Sequence, residues 1–401
     1  MFETIIDTIN TFLYSKLLIV ILIGSGIYFT IRTRFPQVRL FRKACNAVME
    51  KPEGKESVSS FQALMVSTAS RVGTGNIVGV SSAICIGGVG SVFWMWIIAI
   101  LGSASALAES TLAQIYKKKG EDGKCYGGPA YYIEAALHSR GLAVVFCIAM
   151  ILTYAFGFNM LASYNLQSTF ASQPFYNADI TPWIIGGILA LVMGWCLLGG
   201  GNRIVKVTST LVPFMGIAYI LVSLLVVVLN IGQLPSVMAQ IFKEAFDFKA
   251  IFAGFAGSAM MQGIRRGLYS NEAGIGSAPN AAASAVVSHP VKQGLVQMLS
   301  VFIDTLLLCT ATAMMCLVSG VIPAKELQGA PWVQAALHKT LGSFGPYFIM
   351  IAMVLFAFTT LLGNCFYCDN LLTYIHKKQP DRKFMTGFRI VSALAVFWGA
   401  G

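Results

Sequence analysis

The chain has 401 residues, of which 56% are hydrophobic and only 11% are charged. A soluble domain carries about 25% charged residues, so this composition excludes an ordinary soluble domain and predicts an all-α polytopic membrane protein. The formal net charge of +11 could indicate an anionic partner, but its distribution along the chain favours a topological explanation.

Apolar runs repeat along the whole chain. A helix needs about 20 apolar residues to cross about 30 Å of hydrocarbon. Nine runs of that kind are present, at roughly 10–31, 59–86, 92–116, 142–170, 183–200, 204–230, 249–268, 291–319 and 344–376. A tenth begins near Thr386 and reaches Gly401, so we expect the full protein to continue beyond this residue. The first run is too long for a signal-peptide core and is expected to be a true span.

Basic residues concentrate in alternate connections between these runs. One side holds 22 of the 28 Lys and Arg residues, in segments 31–58, 117–141, 199–206, 265–292 and 376–389. Cytoplasmic loops of membrane proteins carry such an excess. We therefore expect a multi-pass protein of the cytoplasmic (inner) membrane with its N-terminus outside, and we do not expect a nucleic-acid partner.

The second run is interrupted by Arg71–Asn76, a polar and glycine-rich hexapeptide. Each glycine costs about 1 kcal/mol relative to alanine inside a helix. An unpaired backbone group in hydrocarbon costs several kcal/mol and is tolerated only where it faces a cavity or a ligand. The hexapeptide is therefore the first candidate for a binding site.

A second interruption is predicted at Gly254–Ser258, followed by Gly263 and Gly267. Interrupted helices at matching positions of two halves point to the binding site of a secondary transporter. Close helix packing through small residues is the alternative. We divide the chain into residues 1–58 (an extra span and a basic interfacial segment), 59–230 (a first five-helix repeat) and 231–401 (a second repeat, incomplete at its C-terminus).

Three charged residues lie inside apolar runs: Arg71, Glu109 and Asp304. Each costs about 2.5–3.5 kcal/mol at the centre of a span if it is unpaired. Asp304 could bind a cation, carry a proton or pair with Arg71, and for Arg71 we expect an internal pair. Glu109 lies near the cytoplasmic end of its span and is expected to have a structural role beside Lys117–Lys119.

Two adjacent hydroxyls, Thr359 and Thr360, lie in a ninth, otherwise apolar run. Hydroxyls in helices most often donate to the carbonyl four residues earlier. The alternative is that both supply oxygens to one hard cation such as sodium, by the reasoning that applies to Ca²⁺ and Mg²⁺. The scattered cysteines and histidines show no metal-ligand or catalytic spacing, so an enzyme is not expected.

Four motifs carry a family resemblance. They are Val72–Ile77 (VGTGNI), Gly87–Trp96 (GGVGSVFWMW), Gly127–Tyr132 (GGPAYY) and Ser270–Pro279 (SNEAGIGSAP), with Phe302–Thr305 (FIDT) following in register. In this order they resemble the alanine or glycine:cation symporter family, the sodium:alanine symporters. In that family Ser270–Pro279 would follow the second broken span.

The resemblance implies the leucine-transporter fold, a five-plus-five inverted repeat, with one extra N-terminal span. Family members have eleven spans, so the chain is expected to be truncated before the last one. The resemblance also implies a sodium site and an amino-acid site. The sodium ligands would be the carbonyls of Ala69, Val72 and Phe356 and the hydroxyls of Thr359 and Thr360. The amino acid would contact Thr74, Gly75 and Asn76, with Gly257 and Ser258 opposite and Phe158, Ala162 and Asn364 around them.

Two departures from the family pattern affect the expected substrate. Many relatives have a glutamine where this chain has Ala162, and many read Gly-Trp-x-Tyr-Tyr-Gly-Glu where it has Gly363–Asp369 (GNCFYCD). The loss of a glutamine and a tryptophan should enlarge the side-chain end of the pocket, which admits a neutral amino acid larger than alanine.

The sequence therefore predicts a sodium-coupled symporter that imports alanine, glycine or another small neutral amino acid. One alternative is a proton-coupled transporter of the same fold with Asp304 or Glu109 as the carrier. Another is an amino-acid sensor that does not transport.

Overall fold

The computed structural model describes residues 12–13, 17–50, 58–120, 123–247 and 258–401. Helices make up most of these residues, and one short hairpin joins two of them. The helices are α1 Leu18–Arg32, α2 Pro36–Arg39, α3 Phe41–Val48, α4 Ser60–Arg71, α5 Thr74–Gly87, α6 Ser91–Ile115, α7 Pro129–Leu137, α8 Arg140–Ser168, α9 Thr181–Leu198, α10 Gly200–Leu229, α11 Leu234–Ala245, α12 Ala259–Asn271, α13 Pro279–Ala282, α14 Pro290–Val318, α15 Ala330–Leu341, α16 Phe344–His376 and α17 Arg382–Ala400. The hairpin strands are β1 Lys118–Lys119 and β2 Cys125–Tyr126.

Six of the described helices are long and apolar enough to cross a membrane: α6, α8, α9, α10, α14 and α16. The shorter α1 and α5 are also apolar. The six long helices begin and end within a few residues of the predicted runs, and the predicted multi-pass, all-helical class is confirmed.

The basic segment after α1 folds back against the helical core. Ala44 and Ala47 on α3 are buried, and Ala44 packs in a cluster that includes Leu295 and Met298 of α14. Val38 on the preceding turn is exposed. This matches the predicted amphipathic segment as far as α3, and residues 51–57 lie outside the described part of the chain.

The first interruption is shorter than predicted. α4 ends at Arg71 and α5 begins at Thr74, so only Val72 and Gly73 leave the helical path. Asn76 explains the difference, because its Oδ1 accepts a hydrogen bond from the Gly73 N–H at 3.1 Å. A side chain that caps the N-terminus in this way starts a helix, so Thr74–Asn76 form the first turn of α5.

Most of the second predicted interruption lies outside the described residues, and only its last residue, Ser258, is seen, at the start of α12. Gly263 and Gly267 lie inside the continuous helix α12, where they allow close contact with α6; a Cβ on Gly267 would lie 2.9 Å from Ile98 Cγ2. Ser258 caps the start of α12 by accepting from the Met261 N–H at 3.3 Å. The packing alternative therefore holds for these glycines, and residues 254–257 lie outside the described part of the chain.

The helical path also breaks after Asn271. Residues 272–278 join α12 to the short helix α13, and three of them have positive φ: Glu272 at 50°, Gly274 at 85° and Gly276 at 85°. The motif Ser270–Pro279, which we expected to follow the second broken span, therefore contains a break of its own.

Two long helices contain wider π-type turns, Leu152–Gly157 in α8 and Phe302–Cys309 in α14. Such turns are frequent at functional sites. The turn in α14 contains Asp304 and Thr305, both fully buried.

Candidate amino-acid and cation site

The first interruption lies directly against α16. Gly73 makes this approach possible, because a Cβ at this position would overlap Thr360 Oγ1. Thr360 Oγ1 is buried and has no hydrogen-bond partner among the described residues. A buried hydroxyl without a partner is costly, by about 1–3 kcal/mol, so this oxygen is a candidate ligand atom.

The break at Gly73 also frees a backbone carbonyl of α4. The Gly73 N–H, which would bond to the Ala69 carbonyl in a continuous helix, is directed instead to Asn76 Oδ1. Val72 lies between the two helices. Carbonyl and hydroxyl oxygens are the ligands that hard cations prefer, so the predicted ligands on α4 fit a sodium ion.

Thr359 differs from its neighbour. Its hydroxyl donates to the carbonyls of Leu355 at 2.9 Å and Phe356 at 3.2 Å. The common back-bonded geometry therefore applies to Thr359 and not to Thr360. The lone pairs of a donating hydroxyl remain free to meet a cation.

The amino-acid side of the break faces α8. Thr74 Oγ1 accepts a hydrogen bond from Asn165 Nδ2 at 3.2 Å. Phe158 packs edge to face against Tyr269 of α12 at 5.3 Å between ring centroids. Ala162 is buried and lies one turn from both Phe158 and Asn165, on the same face of α8. The sequence prediction missed Asn165, although its spacing from Phe158 and Ala162 could have revealed it.

Asn76 connects the break to Asp304. Its Nδ2 donates to Asp304 Oδ1 at 2.7 Å and to the Asp304 carbonyl at 3.3 Å. The second carboxylate oxygen accepts from Thr305 Oγ1 at 2.6 Å. Both ends of the Asn76 amide thus bond within the protein, so a direct contact with substrate stays a prediction.

Arg71 does not form the expected pair with Asp304. In the described part of the chain the ion pairs within 4 Å are Arg140–Glu134, Lys292–Glu50 and Arg389–Asp369. Arg71 Nη1 donates to the Gln297 carbonyl at 3.3 Å, while its buried Nε and Nη2 have no hydrogen-bond partner. The carboxylate of Asp304, which lies in the π-type turn, accepts hydrogen bonds from Asn76 and Thr305 instead.

Glu109 has a structural role, but not beside the cytoplasmic lysines. Its two carboxylate oxygens accept from the Gly274 N–H at 3.2 Å and the Gly276 N–H at 3.1 Å. The carboxylate therefore accepts hydrogen bonds from two backbone N–H groups that the break after Asn271 leaves without helical partners.

Asn364 joins three helices. Its Oδ1 accepts from Ser70 Oγ of α4 at 2.6 Å, and its Nδ2 donates to Asn159 Oδ1 of α8 at 2.9 Å. A Cβ on Gly363 would lie 2.7 Å from the Ser70 backbone nitrogen, so α16 contacts α4 closely here. Contact of Asn364 with substrate stays a prediction.

Ser258 does not lie opposite the first break. Gln262 of α12 faces Gly87 near the end of α5, and Arg266 faces Gly75 near its start. Ser258 precedes Arg266 by eight residues, or about 12 Å at 1.5 Å per residue, and lies beyond the far end of α5. Gly257 lies outside the described residues.

Arg266 is a residue of the site that the sequence prediction missed. Its guanidinium lies near Gly75, where a Cβ would be 2.6 Å from Nη2, and over the Tyr269 ring at 5.3 Å from the centroid. The charge led us to place it in the cytoplasmic connection 265–292, but it is a buried residue of α12. The glycine pair Gly75 and Gly79, one turn apart on α5, was the available signal of a bulky partner.

Comparison with known proteins identifies the family. All 401 residues match the sequence model of the "Sodium:alanine symporter family". The chain belongs to this family. The predicted resemblance is therefore confirmed, and this family member is a transporter rather than an enzyme.

Three relatives cover nearly all of this symporter-family chain. "Probable sodium/glutamine symporter GlnT" of Bacillus subtilis is 45% identical over 98% of this chain and 82% of GlnT. "Amino-acid carrier protein AlsT" of the same organism is 42% identical over 100% of this chain and 83% of AlsT. "Sodium/alanine symporter AgcS" of Methanococcus maripaludis is 36% identical over 100% of this chain and 88% of AgcS.

A solved structure shares the fold. The crystal structure of MhsT in complex with L-phenylalanine superposes with a TM-score of 0.59 at 15% identity, over 86% of this chain and 81% of MhsT. The family and these relatives support an amino-acid:cation symporter with several membrane spans.

Proposed function

We propose that the protein is a sodium-coupled symporter that imports alanine, glycine or a somewhat larger neutral amino acid by alternating access. It would lie in the cytoplasmic membrane with its N-terminus outside. The observation that carries the proposal is Thr360 Oγ1, buried without a partner against the first interruption. Relatives named as sodium/alanine and sodium/glutamine symporters support it.

Sodium would be bound between α4 and α16. The proposed ligands are the carbonyls and hydroxyls that the family resemblance implied, namely Ala69, Val72, Phe356, Thr359 and Thr360. These are oxygen ligands of the kind that suit a hard cation. Thr360 would contribute most, because binding would remove the cost of its unsatisfied hydroxyl.

The amino acid would bind at the start of α5. The first N–H groups of a helix have no intrahelical partner, and the helix dipole favours an anion there. We place the substrate carboxylate at Thr74 and Gly75, with Phe158 and Ala162 toward its side chain. The small Ala162 leaves room for a side chain larger than that of alanine, and Asn165 holds the Thr74 hydroxyl.

Coupling would follow from the shared break. Sodium at Val72 and the amino acid at Thr74 would each favour the same arrangement of α4 and α5. Each therefore raises the affinity of the other by the same factor, and a coupling free energy of about 1–3 kcal/mol is typical. The inward sodium gradient would then drive uptake.

Replacing Thr360 tests the sodium site. We expect Thr360→Ala to raise the sodium concentration for half-maximal uptake at least tenfold in proteoliposomes. Thr360→Ser, which keeps the hydroxyl, is the matched control and should stay near wild type. An unchanged sodium dependence in Thr360→Ala would contradict the assignment.

A proton-coupled transporter is the second candidate, because Asp304 is a fully buried carboxylate bonded to Asn76 at the break. Asp304→Asn separates the two. If transport is coupled to sodium, uptake by this variant still requires a sodium gradient. If transport is coupled to protons, uptake by wild type responds to a pH gradient, and the variant loses this response. Counterflow in proteoliposomes distinguishes both from a sensor, which would show no exchange.

A further inference from the structure

One face of α5 carries no side chains over its first two turns, because the residues there are glycines. Gly75 and Gly79 lie one turn apart and both face the guanidinium of Arg266. A Cβ on Gly75 would be 2.6 Å from Nη2, and a Cβ on Gly79 would overlap Nη1 and Cζ. The two glycines therefore make the space in which the guanidinium approaches the start of this 14-residue helix.

This guanidinium is buried and forms no salt bridge with the described residues. The residue is 8% exposed, and its Nε has no hydrogen-bond partner among them. Within the described ranges Arg266 forms no ion pair within 4 Å. The Tyr269 ring at 5.3 Å offers a cation–π contact worth about 2 kcal/mol or somewhat more at a desolvated site, which is less than the cost of burying an unpaired charge.

Among the protein's carboxylates, Asp304 is the candidate ion partner of Arg266. It lies within electrostatic range of Arg266, but Oδ1 is bonded to Asn76 and Oδ2 to Thr305. A second anion is therefore needed to engage the planar donors of the guanidinium. The start of α5, with its free N–H groups, is where such an anion would be bound.

We propose that Arg266 is a specificity-determining residue that binds the α-carboxylate of the substrate, together with the N–H groups of the first turn of α5. This inference rests on the proposed function, which places the amino acid at Thr74 and Gly75. Arg266 then selects substrates with a free carboxylate over their amides, since a neutral amide group would leave the buried guanidinium unpaired.

The test compares L-alanine with L-alaninamide as inhibitors of sodium-driven L-alanine uptake in proteoliposomes. Wild type should prefer the acid strongly. Arg266→Gln should weaken inhibition by the acid at least tenfold and leave the amide almost unchanged, so that the preference falls at least tenfold. Arg266→Lys, which keeps the charge without the planar fork, should show an intermediate preference.

The neighbouring arginine supplies a matched control for the charge. Arg265 lines a small cavity with Leu18 and Leu22 of α1 and with Phe158 and Tyr269, whereas the guanidinium of Arg266 faces Gly75 and Gly79 of α5. Arg265→Gln removes the same charge one residue away and should keep the preference of wild type.

Gly79→Ala provides a second route if Arg266→Gln folds poorly. Its methyl group would displace the guanidinium, so the preference for the acid should fall as it does in Arg266→Gln. The thermal shifts that L-alanine and L-alaninamide cause in detergent-purified protein with sodium give the same comparison without uptake.

Two results would overturn the inference: an acid preference unchanged in Arg266→Gln, or an equal loss for acid and amide. The proposed function would survive either result if wild type still takes up L-alanine with sodium. If wild type neither binds nor transports an amino acid with sodium, the proposed function itself fails.

Discussion

The two breaks that the structure describes in the helical path differ in which groups bond to their exposed polar atoms. At the first, between α4 and α5, the Thr360 hydroxyl on the facing helix has no partner in the described part of the chain, and the Ala69 carbonyl has lost its usual donor. At the second, between α12 and α13, the carboxylate of Glu109 accepts from two backbone N–H groups. A break that the protein itself satisfies is a structural element, whereas one that it leaves open is a place for ligands.

The difference assigns separate tasks to the two breaks. Changes at the first should alter sodium and amino-acid binding more than stability. Changes at the second should alter stability more than sodium dependence.

Gly73→Ala should reduce sodium-dependent uptake about 100-fold or more. The backbone at Gly73 (φ −131°, ψ −166°) is extended and suits alanine, so the effect comes from overlap of the new methyl group with Thr360 Oγ1. Gly216→Ala in α10, where nothing lies within 4 Å of the added carbon, is the control. Uptake close to wild type in Gly73→Ala would mean that α4–α5 and α16 are not closely apposed during transport.

Glu109→Gln should lower the free energy of unfolding by about 1–3 kcal/mol, because at least one buried N–H loses its acceptor. Thermal unfolding in detergent measures this, and the sodium concentration for half-maximal uptake should stay unchanged. Glu50→Gln, which removes a surface ion pair with Lys292 worth about 1 kcal/mol or less, is the control. A large change in sodium dependence with no loss of stability would reverse the division between the two breaks.

Gly276→Ala should destabilise the protein by about 1–2 kcal/mol, since an L-residue is strained at its φ of 85°. The new methyl group would also lie 2.7 Å from Cγ of the Pro129 ring. Gly274→Ala has the same φ but meets the flexible end of Leu22 at 3.0 Å, so it should cost less. Equal thermal shifts for the two variants would show that contact with Pro129 does not matter.

Asn165→Ala should weaken amino-acid affinity about 2–10-fold, the equivalent of the roughly 0.5–1.5 kcal/mol of one hydrogen bond. The KM for L-alanine at saturating sodium measures it. Thr153→Ala, at an exposed position of the same helix, should leave the KM unchanged. A KM for Asn165→Ala equal to that of wild type would show that the hydrogen bond from Asn165 to Thr74 does not contribute to amino-acid binding.

The first break was predictable because glycines and polar residues interrupt a run that is otherwise apolar. The break after Asn271 was missed because Ser270–Pro279 resembles an ordinary connection and Arg265 and Arg266 suggested that the span had already ended. Hydropathy cannot distinguish a charge in a loop from a charge buried in a helix. For the same reason, the sequence analysis did not include Arg266 in the predicted site.

Contacts between distant segments also lay beyond the sequence. Asn76 and Asp304 are 228 residues apart, and nothing in their spacing distinguishes this bond from the expected pair with Arg71. The different roles of Thr359 and Thr360 depend on which side of α16 faces Gly73. The proposed sodium ligands came from the family resemblance and not from spacing alone.

The most direct test of the first break as a coupled site is the thermal stabilisation of purified protein by L-alanine or L-glutamine, with sodium or with choline in its place. We predict that at least one amino acid stabilises wild type in sodium and not in choline, and that Thr360→Ala loses this stabilisation at the same sodium concentration. Undiminished, sodium-dependent stabilisation of Thr360→Ala would contradict the account.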